Sequence, residues 1–442
     1  MRACVVVLLA GLCLAAAGSA QKLTYIELDK PELLNPIDGG QDAIGVRLLE
    51  LIFRGLVTQD RAGEWVPELA EALPSFTPGT RELVVRLKGG AQWPDEHPIT
   101  AQDVAFSLQY YLDEDNGYPM RDLLDIFERV EVVDPQTVRF VLRWSDERAI
   151  PRMGFYLLPR HLLPGPYIPD THGFHRTPFG AGPYRVTANE ANLIRLARNP
   201  YYQGTMPSIT QIEMVVNPVD NVHLALLLAG QVDLDPVVPP RDIATVDANA
   251  QTELRRYDSR TWSGFALNCT NPFLRLREAR QALSLLFNRQ DALQADYYGQ
   301  GQLVSGPFTV SSFCYDPDVK PYEYDPVAGC RLLDEAGLVD TDGDGVREMN
   351  GQPMVLRMVL RRDMGQEDKN TCANFAQQLQ SYQVKVETNY QEYNAWRQTI
   401  FFKHEYDITL LGWKFDDGSN VYPLFSRTQR APGALSRAWT SA

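Results

Sequence analysis

Segments with a period of two and segments with a period near 3.6 alternate along this chain without a fixed repeat, and that pattern restricts the fold more than any single motif. Glu82 to Lys88 places Leu83, Val85 and Leu87 on one face, as in a half-buried strand. Thr100 then reads as a helix cap. Asp103 stands at the capping-box position and Val104, Leu108 and Tyr111 form a stripe behind it. Val130 and Val132 lead to a turn at Asp134-Pro135, after which Val138, Phe140 and Leu142 alternate again, predicting a hairpin. Further on, Tyr184–Val186 and Leu193–Leu196 flank a polar turn, and Asn221–Leu228 is an apolar helix stopped by Gly230. Helices are predicted over Arg277–Phe287, over Pro326–Leu338 ending at Gly337, and around Asn374–Tyr382. Strands are predicted over Leu356–Leu360, Val384–Glu387 and Ile408–Trp413. The stretch from Pro151 to Gly182, rich in Pro, Gly and His, reads as a surface connection between domains. Such mixing predicts an α/β fold, and 442 residues are too many for one simple domain.

The amino terminus carries an export signal. Arg2 precedes the apolar run Val5–Ala17, and Gly18 and Ala20 are small residues before Gln21. Residues 1–20 are therefore expected to be a leader cleaved near Ala20, giving a periplasmic product. The run is shorter than the ~20 residues a spanning helix needs. Cys13 raises the alternative of a lipid anchor, although Leu12 stands where a small residue is wanted. Removing Arg2 takes the net charge from −14 to −15, since the leader holds no acid, and such a surface disfavours nucleic acid as a partner. Four cysteines remain after cleavage: Cys269, Cys314, Cys330 and Cys372. They allow three full pairings, of which Cys314 with Cys330 closes the shortest segment.

Catalytic motifs are sparse. The chain has no Gly-x-Ser-x-Gly, His-Glu-x-x-His or Gly-x-x-x-x-Gly-Lys, and its six histidines offer few bases for a nucleophile. His172 and His175 could form the edge of a metal site, but their Pro, Gly and Thr neighbours suggest exposed loop imidazoles instead. Asp340-Thr-Asp-Gly-Asp-Gly345 resembles the front of a calcium loop. The twelfth position is Gly351, however, which leaves a tight acidic turn. No enzyme activity, cofactor or metal is expected. Trp262, Phe265 and Trp413 stand near strand ends, where rigid apolar faces suit either a core or a ligand site. Asp416 and Asp417 follow Trp413 at the exit of a strand.

The segment WVPELAEALPSFTPGTRELVVRLKGGAQWPDEHPITAQDVAFSL resembles the signature of the family 5 extracellular solute-binding proteins, which include oligopeptide, dipeptide and nickel binders. LLNPIDGG, GAGPYRV, RNPYYQG, AGQVDL, FALNCTNPF with REARQAL, and KPYEYDPVAGCRLLDEAGL with DTDGDG occur in the family's order, so the resemblance extends to about Trp413. It implies a two-lobe periplasmic-binding-protein-like fold with an extra domain and a ligand cleft between lobes. Domain I would comprise 21–57 and 176–264, domain II 58–175, and domain III 265–442. It also implies a monomer that captures a peptide or similar small molecule by hinge closure and delivers it to the permease of an ABC importer. A sensory or chaperone-like binding protein using the same cleft is the alternative, and an exported hydrolase a more distant one.

Carried over residue by residue, the resemblance makes Asp416, three after Trp413, the anchor for a peptide's amino terminus. It assigns Trp413, Phe265, Asn268, Gly40 and Asp42 to ligand-facing segments. Family members return to the first lobe after the Trp413 segment, whereas the tail RAPGALSRAWTSA has no core pattern. Domain III is therefore expected to be C-terminally incomplete.

Overall fold

The computed structural model describes residues 4–9, 21–37, 43–60, 63–74, 80–118, 121–146, 149–257, 261–312 and 314–414. The chain divides into two compact units, one of Val6–Val238 with Thr245–Arg255, the other of Met1–Val5 and Pro239–Ala244 with the chain from Arg256 onward.

The first unit is built on a seven-stranded sheet. Its strands are β1 (Cys4–Leu9), β2 (Lys22–Glu27), β8 (Tyr184–Glu190), β9 (Leu193–Arg198), β10 (Gln211–Val216), β11 (Leu234–Asp235) and β12 (Thr252–Tyr257), in the order β12-β1-β11-β2-β10-β9-β8. β2 is parallel to both neighbours: Tyr25 lies opposite Met214 on β10 and Leu234 on β11. A strand flanked in this way is covered on both faces, and Tyr25 and Ile26 are buried accordingly. β1 falls within the expected leader and pairs antiparallel with β11, Val7 opposite Asp235.

Between helix α1 (Ala43–Ile52) and β8, the same unit carries two small sheets. β3 (Val57–Gln59) pairs with β4 (Trp65–Pro67), while β7 (Thr137–Leu142) lies between β5 (Glu82–Arg86) and β6 (Phe127–Asp134). The alternation read from Glu82–Lys88 is realised, with Leu83, Val85 and Leu87 buried. Helix α2 (Ala101–Leu112) starts at Thr100, whose backbone N–H donates to Asp103 Oδ2 at 2.8 Å. Burial of Val104, Leu108 and Tyr111 fits the predicted stripe. One apolar core runs from Tyr25 and Leu48 through Trp93 and Phe140 to Met214.

The Pro151–Gly182 stretch is not a surface connection. Met153, Leu157, Leu158, Phe174 and Ala181 are buried in that core, and the irregular backbone finds partners there. Leu157 N donates to Arg54 O at 2.9 Å, Leu158 N to Ser107 Oγ at 2.8 Å, and Leu34 N to His175 O at 2.7 Å. Its apolar residues lack a regular period because no regular element carries them. The stretch ends at Gly182, whose N–H donates to Ile52 O at 2.7 Å.

The second unit holds a four-stranded sheet in the order β13-β18-β16-β17. The strands are β13 (Thr261–Leu267), β16 (Val355–Arg361), β17 (Lys385–Gln391) and β18 (Ile408–Lys414), and the hairpin β14 (Glu348–Met349) with β15 (Gln352–Pro353) lies beside them. β16 runs parallel to β17 and β18, with β13 antiparallel at the edge. Helices Arg277–Leu285, Pro326–Glu335 and Gln366–Ser381 cover it, and the core gathers Leu283, Leu333, Leu356, Phe375 and Leu379. The last helix begins eight residues before the predicted Asn374, because Gln366–Asn370 is polar and carries no stripe to read. None of Cys269, Cys314, Cys330 and Cys372 is disulfide-bonded, contrary to the pairing favoured from spacing: Cys372 is buried and Cys314 exposed. Among the described residues no helix is long and apolar enough to cross a membrane.

Two glycines set a close approach between α1 and the return to β8. A Cβ on Gly180 would lie 2.2 Å from Ile52 O, and one on Gly182 2.5 Å from Ile52 C. Because backbone cannot swing aside as a side chain can, Gly180→Ala is expected to lower stability by about 1–3 kcal/mol in urea denaturation. Gly173→Ala, with nothing within 4 Å of its Cβ, should shift the midpoint far less.

Candidate functional site

In the first unit the chemistry gathers at the carboxyl ends of the parallel strands, where open α/β sheets bind ligands. β2 ends at Glu27, β10 leads to Asn217 and β11 ends at Asp235. Glu27 and Asp235 are both buried. α1, which follows β2, supplies Arg47, whose Nε and Nη2 donate to the two Glu27 oxygens at 2.7 and 2.8 Å. Asp235 accepts the Val237 N–H at 3.0 Å, and its carboxylate lies 3.8 Å from His223 Nδ1. The other ring nitrogen of His223 is 2.8 Å from Asn217 O, so Nε2 carries the proton. Beside these charges Tyr25 is buried, and its hydroxyl has no hydrogen-bond partner among the described residues. Burial pushes the Glu27 carboxyl above its ordinary range, opposed by the Arg47 bonds and reinforced by Asp235.

This group was missed in the sequence. Glu27 closes an otherwise ordinary strand, and only the pairing of β2 with strands far along the chain shows that it is enclosed. Gly40 and Asp42, in the segment leading to α1, lie outside the described residues.

In the second unit β13 and β18 are in register, Trp262 opposite Trp413 and Phe265 opposite Leu410. Trp413 therefore stands next to the last residue of β18, and Asp416, soon after, lies outside the described residues, as does Asp417. The Phe265 ring stacks on Phe375 at 4.2 Å and meets Phe287 edge-on at 5.7 Å, which places it against the core of its own unit. Asn268 is buried. Its amide donates to Tyr406 O at 2.8 Å and His404 O at 3.1 Å, and its oxygen accepts from Thr270 N at 3.0 Å. Next to it Asp407 accepts from Asn271 Nδ2 at 2.9 Å and from Arg357 N at 2.8 Å, and this carboxylate raises the Arg357 pKa. The knot ties the end of β13 to the start of β18 and so fixes the strand that carries Trp413. Phe265 and Asn268 are thus held by contacts within their own unit.

The histidines and the acidic turn also take definite places. His175 is not solvent-exposed: its Nδ1 is 3.0 Å from Asn35 Nδ2 and its Nε2 is 3.3 Å from Ile168 O. His172 caps a short turn by accepting the Phe174 N–H. Asp340 accepts from Gly343 N at 2.7 Å and Gly345 N at 3.0 Å, the bonding of a tight acidic turn. Glu348, from β14, brings a third carboxylate within reach of Asp340 and Asp342, but it accepts from Thr341 N.

A mixed α/β chain in two units, with polar groups at the carboxyl ends of its parallel strands, has the architecture of a binding-protein fold. The model of the bacterial extracellular solute-binding proteins, family 5 Middle, matches residues 64–432, and the chain belongs to that family. It is 30% identical to Protein XP55 of Streptomyces lividans over 76% of this chain and 60% of that protein. It is 24% identical to the oligopeptide-binding protein AppA of Bacillus subtilis over 96% of this chain and 79% of that protein. Among solved structures, AppA of Bacillus subtilis in complex with a nonapeptide superposes with a TM-score of 0.82 at 22% identity, covering 96% of this chain and 86% of that one. NikZ of Campylobacter jejuni in complex with Ni(L-His) also superposes at 0.82, with 19% identity, covering 96% and 83%. The two-lobe fold expected from the sequence is therefore the observed one.

Removing one partner of a buried ion pair strands the other. Arg47→Met is expected to cost about 3–5 kcal/mol near neutral pH. The folded state holds the Glu27 proton more tightly than the unfolded chain does, so this carboxyl contributes less stability as pH rises and more as pH falls. The Arg47→Met deficit should accordingly shrink as pH falls below neutral and Glu27 takes up its proton. A deficit independent of pH in urea titrations would show that Glu27 is not the group left behind.

Proposed function

We propose that this chain is an extracytoplasmic solute-binding protein that captures a peptide or similar small molecule between its two lobes and delivers it to the permease of an ABC importer. The observation that carries this reading is the family match over residues 64–432, joined to the fold shared with a peptide-bound oligopeptide binder. The chain works as a monomer, is exported with its leader cut near Ala20, and performs no catalysis.

Each lobe presents only part of the ligand's surroundings, so a bound ligand favours the closed form by its differential affinity for it. A micromolar ligand contributes about 8 kcal/mol in all, enough to bias a hinge whose states differ by a few. The importer then distinguishes loaded from empty protein by shape. Within the site, Asp416 anchors the ligand's ammonium group, and Trp413, Phe265, Asn268, Gly40 and Asp42 are the further ligand-binding residues. The knot of Asn268 and Asp407 and the stack of Phe265 hold β13 and β18 in place within the second unit.

Mass spectrometry of ligands released from the purified protein is expected to find peptides or related small molecules, and calorimetry with those compounds to give one site per chain. Asp416→Asn should weaken a peptide with a free amino terminus by about tenfold or more, the scale of a lost charge-assisted hydrogen bond, and its acetylated analogue much less. Equal losses for the two would remove Asp416 as the anchor. Turnover of the peptides would overturn the binding-protein reading.

A further inference from the structure

The loop Trp93–Pro98 and the single turn Arg160–Leu162, both in the first unit, bring three donor groups to one point. Asp95 Oδ2 lies 2.8 Å from His161 Nε2 and 3.2 Å from His97 Nδ1. The two imidazoles stack at 4.2 Å with planes 24° apart, and one ligand atom from each of the three residues lies within 4.8 Å of the others. Partial burial would push the Asp95 carboxyl up, but the His161 bond, the His97 N–H and the charges of both rings hold it below its ordinary range.

The scaffold is fixed from beneath. Trp93 is fully buried, its backbone N–H donates to His97 O at 2.8 Å, and Glu96 N donates to Trp93 O at 2.9 Å through a left-handed turn at Glu96, φ 73°. On the other side, Arg160 N donates to Asp103 Oδ1 at 3.1 Å, tying the His161 turn to the start of α2. Neighbouring charges are already engaged: Glu96 accepts from Tyr201 Oη at 2.5 Å, and Arg160 Nη1 donates to Gln102 at 3.0 Å.

We infer that Asp95, His97 and His161 form a binding site for a first-row divalent cation, with His97 Nδ1, His161 Nε2 and an Asp95 oxygen as ligands and solvent at the remaining positions. Two imidazole nitrogens and one carboxylate are the donor set of zinc, nickel and copper ions rather than of magnesium or calcium. The nitrogens that now face Asp95 would face the ion instead. All three residues lie inside one unit, and the ion would bind there with or without the ligand proposed above.

The test is calorimetric titration of the full chain with Zn2+, without added peptide, beside its His97→Gln, His161→Gln and His172→Gln variants. One equivalent should bind. His97→Gln and His161→Gln should each weaken it by about tenfold or more, while His172→Gln leaves it unchanged. Should a variant misfold, electron paramagnetic resonance of the unaltered chain with one equivalent of Cu2+ decides instead, and hyperfine splitting from two imidazole nitrogens is expected. No saturable binding, equal loss in all three variants, or a copper spectrum without nitrogen coupling would each overturn the site.

Discussion

The structure of the first unit depends on one pairing. β2 is held on both sides by strands that the chain reaches only after some two hundred residues, with Tyr25 opposite Met214 on one side and Leu234 on the other. Parallel neighbours cannot be supplied by a tight turn, so everything between has to leave the sheet and come back. The small sheets β3–β4 and β5–β7–β6 are that excursion, and its interior is continuous with the core under the main sheet. The same pairing encloses Glu27, which is why a bidentate Arg47 faces it from the next helix.

Periodic elements could be read directly from the residues. The Leu83-Val85-Leu87 face, the Thr100–Asp103 cap and the hairpin through Asp134-Pro135 follow local rules, and they recur in place. What failed was irregular or long-range. Pro151–Gly182 reads as a surface connection by composition, which says nothing of burial, yet its Leu157 and Phe174 go inward. Cys314 and Cys330 are near in sequence but unbridged, since separation along a chain does not fix the distance between thiols.

The site divides along the same line. Phe265 is an aromatic near a strand end, a place that suits core and ligand alike, and in the fold its ring stacks on Phe375. Asn268 drew notice through a motif, and its amide turns out to brace the backbone before β18. The cluster of Asp95, His97 and His161 is not legible in the sequence because His161 lies far along the chain from the other two, whereas His172 and His175 are close in sequence but do not form such a cluster among the described residues. Asp416, Gly40 and Asp42 rest on family resemblance, because no periodic pattern marks a residue whose partner is a ligand.

The backbone bond between Gly182 and Ile52 has a bearing on how such chains can vary in size. It fastens together the two feet of the excursion, so lengthening the excursion extends a loop whose ends are already fixed. Each doubling of a flexible loop costs only about 0.6 kcal/mol. Growth at that place is therefore thermodynamically inexpensive, whereas the glycines at its base admit no change of bulk.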